Sequence, residues 1–148
     1  MNKALFAGSF NPPTLGHLDI IVRASKLFDQ VTIGIACHSQ KSSASLFTDD
    51  EKMVLLEKMT KGLPNVKIGI IKGLVVNYAR ENGVTVLIRG IRDASDYAFE
   101  ARMAAVNKQI SDLETLFFVS EPKYSHLSST LIRELGSLGQ SLDGLVPS

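Results

Sequence analysis

Five short apolar runs, rich in β-branched residues, recur along this 148-residue chain: Ala4–Ala7, Val31–Ala36, Val66–Ile71, Val84–Ile88 and Thr115–Val119. Their regular return constrains the fold more than any other feature. Near-continuous apolar runs, without strict in–out alternation, are what strands buried on both faces require. Helical patterns lie between them. Ile20, Ala24, Leu27 and Phe28 share one face of the first. The second opens on Thr48-Asp49-Asp50-Glu51, a capping-box pattern, and continues through Met53, Leu55, Leu56 and Met59. The third runs from Leu74 to about Glu81 and stops at Asn82-Gly83, the fourth spans about Ser95 to Ile110, and a fifth begins at Ser128-Ser129-Thr130. Strands and helices in strict alternation predict an α/β fold, a doubly wound, Rossmann-like, five-stranded parallel sheet flanked by helices. No internal repeat or linker divides the chain, so residues 1–148 read as one domain.

Composition narrows the function classes. With 45% hydrophobic and 21% charged residues the chain reads as soluble and globular. A net charge of +1 gives no reason to expect a general nucleic-acid or membrane binder, so any positive potential must be local. No apolar run approaches the ~20 residues that cross a bilayer. Met1-Asn2-Lys3 leads straight into a strand-like segment, which reads as no signal peptide. A single cysteine, Cys37, excludes an intramolecular disulfide framework and a thiolate zinc site. A cytoplasmic location is the expectation.

Ligands of open α/β sheets bind at the carboxyl ends of the strands, so the residues after each run are the informative ones. Gly8-Ser9-Phe10-Asn11-Pro12-Pro13-Thr14-Leu15-Gly16-His17 follows the first. Its tight turn into a helix places unpaired backbone N–H groups and the positive end of a dipole beside an imidazole, which suits anionic oxygen. His38 and Lys41 follow the second run, Lys72-Gly73 the third, Arg89-Gly90-Ile91-Arg92 the fourth, and Glu121 through Thr130 the fifth. Cations and helix-start hydroxyls concentrated in a near-neutral chain point to a phosphorylated ligand. Guanidinium forks suit phosphate oxygens; a structural ion pair with Asp93, Asp96 or Glu100 is the alternative for Arg89 and Arg92. Ser128, Ser129 and Thr130 could serve only as a cap. Cys37 reads as a small core residue, and His38 and His126 as loop residues; three scattered histidines make no metal site. The chain has no P-loop, no Gly-x-Gly-x-x-Gly after a strand and no Gly-x-Ser-x-Gly elbow.

Gly8-Ser9-Phe10-Asn11-Pro12 with Gly16-His17 resembles the T/SxGH signature of the nucleotidyltransferase superfamily, and Ser128-Ser129-Thr130-Leu131-Ile132-Arg133 resembles its second signature. Together they imply transfer of a nucleoside monophosphate from an NTP to an acceptor phosphate. The acceptor is indicated elsewhere. Leu87-Ile88-Arg89-Gly90-Ile91-Arg92, then Asp96-Tyr97-Ala98-Phe99-Glu100, Met103-Ala104 and Asn107, with Asn77-Tyr78-Ala79-Arg80 upstream, is similar to the phosphopantetheine adenylyltransferase family. The chain departs from that family's usual Thr-Phe-Asp-Pro in having Ser9-Phe10-Asn11-Pro12. Ser9 keeps the hydroxyl, whereas Asn11 removes a carboxylate. The Asn-Pro-Pro-Thr-Leu-Gly-His wording also fits nicotinate mononucleotide adenylyltransferases, which stay open as an alternative, as does a nucleotide-binding module without turnover.

The resemblance implies ATP and 4′-phosphopantetheine as partners, dephospho-CoA and pyrophosphate as products, Mg²⁺ carried by the nucleotide phosphates with no protein metal site, and a homohexamer. It implies His17 as the transition-state donor, with Lys41 and Arg92 in the catalytic set. Ser9 would bind both substrates, Lys41 and Arg89 would hold the acceptor phosphate, and Leu74 would line the pantetheine arm. ATP would meet Phe10 through its backbone, Gly90, Ile91, Arg92 and Glu100, and the segment Tyr124, Ser125, His126, Leu127, Ser128, Ser129 and Thr130.

Overall fold

The computed structural model describes residues 1–36, 47–142, 144 and 146. Its five strands are β1 (Lys3–Gly8), β2 (Gln30–Ala36), β3 (Val66–Ile71), β4 (Val86–Ile91) and β5 (Glu114–Val119). They form one sheet in the order β3-β2-β1-β4-β5, and every pairing is parallel. The helices are α1 (Leu15–Ser25), α2 (Asp49–Met59), α3 (Val75–Glu81), α4 (Ala94–Ser111) and α5 (Ser129–Ser137). The doubly wound α/β fold expected from the alternation is therefore the fold observed.

Successive residues of a strand face opposite sides of the sheet, and β1 divides its side chains accordingly. Ala4 and Phe6 join the core that α1 and α2 cover through Ile20, Ile21, Ala24 and Leu56. Leu5 and Ala7 join the opposite core, where α3 contributes Val76 and Ala79. Central β1 and β2 are buried nearly throughout, whereas the edge strands β3 and β5 keep exposed positions despite their apolar composition. Thr48 caps α2 and Glu51 reaches back to its backbone N–H, the pattern read from the sequence. Gly83, at φ +70°, ends the α3 turn in the left-handed region that glycine enters without steric cost.

Two boundaries differ from the sequence reading. The fourth strand begins at Val86 and continues to Ile91, so Arg89, Gly90 and Ile91 are strand residues and do not follow the strand. The reason is pairing: Arg89↔Phe117, Gly90↔Phe118 and Ile91↔Val119 carry the β5 ladder past the charged residue that interrupts the apolar run. Leu27 does not share the buried face of α1. The helix ends at Ser25, and Leu27 is exposed while Phe28 still packs on the core.

The order places β1 between a block built outward through β2 and β3 and another built through β4 and β5. That reversal is the topological switch point, where doubly wound sheets bind ligands. β1 matches β2 over six residues but β4 over three, Ala4↔Val86 to Phe6↔Ile88, so the β1–β4 ladder stops short of the carboxyl ends. Of the polar clusters flagged in the sequence, those that follow β1 and lie on β4, Gly8–His17 and Arg89–Arg92, flank that opening.

Candidate active site

The chain leaves β1 at Gly8 and turns back through a buried Phe10 at φ +46°, a left-handed conformation that costs a non-glycine residue about 1–3 kcal/mol. The Phe10 ring explains why it is held there. It packs edge-on against Phe6, with centroids 5.4 Å apart, and against the His17 imidazole at 4.9 Å. The Asn11–Pro12 peptide is cis, and Asn11, Pro12, Pro13 and Thr14 are all buried.

Thr14 then caps α1 in an unusual box. The His17 N–H donates to Thr14 Oγ1 at 3.3 Å, and the Thr14 backbone N–H donates to His17 Nδ1 at 2.9 Å. Glutamate or glutamine normally fills the third position of such a box; here it is histidine. A backbone N–H can only donate, so Nδ1 carries the lone pair and the neutral ring holds its proton on Nε2. Burial among aromatic rings, followed by the positive charges of Arg89 and Arg92, lowers the imidazole pKa to about 4. At neutral pH His17 is therefore an uncharged, oriented Nε2–H donor.

Arg89 crosses the opening between β1 and β4. Its Nε and Nη2 form a two-pronged pair with Glu100, both at 2.8 Å, and Nη1 donates to the Ala7 carbonyl at 2.7 Å. Both Glu100 oxygens are thus committed to Arg89. Arg92 is held likewise: its Nε and Nη2 donate to Asp96 at 2.9 and 3.3 Å, its backbone N–H donates to the same carboxylate, and Nη1 reaches the Leu127 carbonyl at 3.3 Å. That contact holds the Asp96 carboxyl below the usual carboxylate range. The ion pairs weighed as alternatives for Arg89 and Arg92 are therefore present, and each orients a guanidinium.

The segment after β5 closes the other side. It makes a 3₁₀ turn at Pro122–Tyr124, Tyr124 packs beside Gly16, and Ser128 caps α5 by accepting the Leu131 N–H at 3.1 Å. Ser129 Oγ donates to the Pro12 carbonyl at 2.8 Å, and Arg133 donates to the Asn11 carbonyl at 2.6 Å and to Thr130 Oγ1 at 3.2 Å. The second signature is thereby fastened onto the first.

Contacts thus pair His17 with Phe10, Arg89 with Glu100, Arg92 with Leu127 and Ser129 with Pro12 around the opening between β1 and β4, and the charges of Arg89 and Arg92 act on the His17 ring. Ser9, Ser125, His126 and Thr130 are exposed at its margin. Leu74, at the start of α3, is exposed at the end of β3. Gly90 has a packing reason beside its expected ligand role, because an added Cβ would lie 2.4 Å from Ile20 Cδ1 of α1. Lys41, with Cys37 and His38, lies outside the described residues. Thr14 and Arg133 stand inside the two motifs quoted from the sequence but carried no expected role: the signal for Thr14 was the spacing Thr-x-x-His, and Arg133 reaches Asn11 across 122 residues as well as its neighbour Thr130. Among the described residues no group of three or more His, Cys, Asp or Glu could hold a metal ion, and no helix is long and apolar enough to cross a membrane.

Residues 5–135 match the cytidylyltransferase-like family. Proteins named phosphopantetheine adenylyltransferase are 40% identical in Deinococcus radiodurans, over 98% of this chain and 87% of that protein, and 43% identical in Symbiobacterium thermophilum, over 99% and 90%. The protein of that name from Clostridium tetani is 42% identical over 99% of this chain and 91% of its own. A Vibrio parahaemolyticus structure put forward as a nicotinate-nucleotide adenylyltransferase superposes with a TM-score of 0.70, covering 100% of this chain and 88% of that one at 20% identity, a likeness of fold alone.

Proposed function

The chain belongs to the cytidylyltransferase-like family and, within it, to the phosphopantetheine adenylyltransferases; from that premise we infer that it transfers the adenylyl group of ATP to 4′-phosphopantetheine. The products are dephospho-CoA and pyrophosphate, which places the enzyme at the penultimate step of coenzyme A synthesis. The observation that carries this reading is the near full-length identity to enzymes of that name. Two pre-oriented arginines and a neutral imidazole donor at the sheet's switch point support it.

In the proposed reaction an acceptor phosphate oxygen attacks the α-phosphorus of ATP in line, the bond to the bridging oxygen of pyrophosphate breaks, and no covalent enzyme intermediate forms. Catalysis comes from holding two anions in reach of one another and from donors aimed at the charge that develops. His17 Nε2–H would donate to an α-phosphate oxygen. Arg89, with Lys41, would hold the acceptor phosphate, and Arg92 would meet the ATP phosphates. Ser9 would stand between the substrates, Leu74 would line the pantetheine arm, and the segment Tyr124 to Thr130 would enclose the nucleotide. Mg²⁺ would neutralise the triphosphate. Because Glu100 and Asp96 are spent on arginines, it would be held by phosphate oxygens and water, as this ion commonly is.

Pyrophosphate release from ATP, measured with phosphopantetheine, nicotinate mononucleotide or no acceptor, tests the reading. Release with phosphopantetheine alone is expected. Release only with nicotinate mononucleotide, or with neither, refutes it.

Assembly as a homohexamer belongs to the same proposal, with a cytoplasmic location. Phe99, Met103, Val106 and Ile110 are exposed on α4 at spacings of four, three and four residues, which places them on one face, and Leu116 and Val119 are exposed on the adjoining edge strand. Such a stripe calls for a covering partner. Val106→Glu should convert a hexamer into smaller species in sedimentation; a monomeric wild type would end this part of the proposal.

A further inference from the structure

The stretch from Asn11 to Thr14 has unusual hydrogen-bond demands. Pro12 and Pro13 have no N–H, so this part of the loop cannot satisfy itself with local backbone donors. The next N–H, on Thr14, is spent on His17 Nδ1. The buried carbonyls of Asn11 and Pro12 therefore need donors from elsewhere, and α5 supplies both. Arg133 Nη1 takes the Asn11 carbonyl while its Nη2 holds Thr130 Oγ1, and Ser129 Oγ takes the Pro12 carbonyl. Directly before this stretch sits Phe10 in its left-handed conformation, and the last amide of the stretch, on Thr14, sets the His17 tautomer.

We propose that Arg133 is a positioning residue for adenylyl transfer: it clamps the Asn11–Pro12 backbone so that the Thr14 amide holds His17 as an Nε2–H donor. Each terminal nitrogen is engaged by a protein oxygen, Nη1 by the Asn11 carbonyl and Nη2 by Thr130 Oγ1, and this ties the guanidinium to the loop. A lysine keeps the charge but cannot bridge Asn11 O and Thr130 Oγ1 in the same fork geometry. The kinetic half of the proposal rests on the adenylyl-transfer reading. The state of the imidazole does not.

Arg133→Lys and Arg133→Gln should each lower kcat about 10- to 100-fold, the scale of a modest misplacement of a catalytic group, while KM for ATP stays close to wild type. Nitrogen-15 spectra of the His17 ring in the ligand-free protein should move from the pure Nε2–H pattern toward a mixture of tautomers, a change that a merely folded-state role would not produce. Ser129→Ala removes the second anchor more gently and should shift both readouts in the same direction, which keeps the test available if an Arg133 variant does not fold. A raised KM for ATP with kcat and ring spectrum unchanged would make Arg133 a phosphate ligand and overturn the clamp. Unchanged kinetics together with an unchanged ring spectrum would overturn it too. If wild type makes no dephospho-CoA, the functional reading fails, and the spectra still decide whether the clamp exists.

Discussion

Replacing His17 with alanine should lower kcat about 10²- to 10³-fold, the usual cost of one preorganised donor to a developing oxyanion, while ATP binding changes far less. The expectation follows from what the fold has done to the ring. The Thr14 amide donates to Nδ1, so the neutral imidazole has one proton, on Nε2, and its position is fixed by the capping box. A donor whose interaction strengthens only as charge accumulates on the α-phosphate contributes to kcat and little to ground-state affinity. Equal losses in kcat and in ATP affinity would remove the transition-state assignment. The pH dependence supplies an independent check. With the pKa at about 4, the acid limb of kcat/KM that belongs to His17 should fall near pH 4 and not near 6.5. Below it the ring gains a proton on Nδ1 and can no longer accept from Thr14. Stability moves in the same direction: the unfolded chain binds this proton at a pKa of about 6.5, so stability is whole above that pH and is lost as pH falls toward 4.

The sequence displays what is local and periodic and conceals what depends on distant partners. The five strands were legible because central parallel strands must be apolar on both faces, as Ala4–Ala7 and Val31–Ala36 are. The end of the fourth was not. Arg89 interrupts the apolar run, and only its pairing with Phe117 keeps it in the ladder. Gly90 stands in the stretch expected to meet ATP, yet it is also required where α1 brings Ile20 against β4. The placement of His17 at a helix start was visible, whereas its tautomer was not, because histidine is an uncommon third residue in a capping box. The link from Arg133 to Asn11 spans 122 residues, a separation that leaves no periodic trace. For Arg89, ion pair and ligand are not exclusive. A guanidinium has five N–H donors, and its three hydrogen bonds to Glu100 and Ala7 leave two. The pair and the phosphate site can be the same arrangement.

That arithmetic makes Glu100 a residue whose loss should be felt at a substrate it need not touch. Arg89→Ala should remove the proposed acceptor-phosphate cation, raising KM for phosphopantetheine and lowering kcat/KM by more than any other single change outside His17. It should also destabilise the fold by about 3 kcal/mol, the lower end of the range for breaking a buried pair. The lower end applies because the Arg89 side chain is 38% exposed, while that of Glu100 is 11% exposed and is left without its partner. Glu100→Ala should produce the complementary pattern. Stability falls by a smaller amount, since the stranded arginine can turn to water, but the guanidinium loses the fork that orients its two remaining donors toward the opening. KM for the acceptor should therefore rise in Glu100→Ala as well, with KM for ATP less affected. Urea denaturation and steady-state kinetics on the two single variants and the double variant separate the contributions. In stability the double variant should lose less than the two single losses added together, because the second change removes a charge already stranded. Additive stability losses would mean that the two side chains do not act as a pair. An unchanged KM for phosphopantetheine in Arg89→Ala would place the acceptor phosphate elsewhere, and Glu100 would then serve the fold alone.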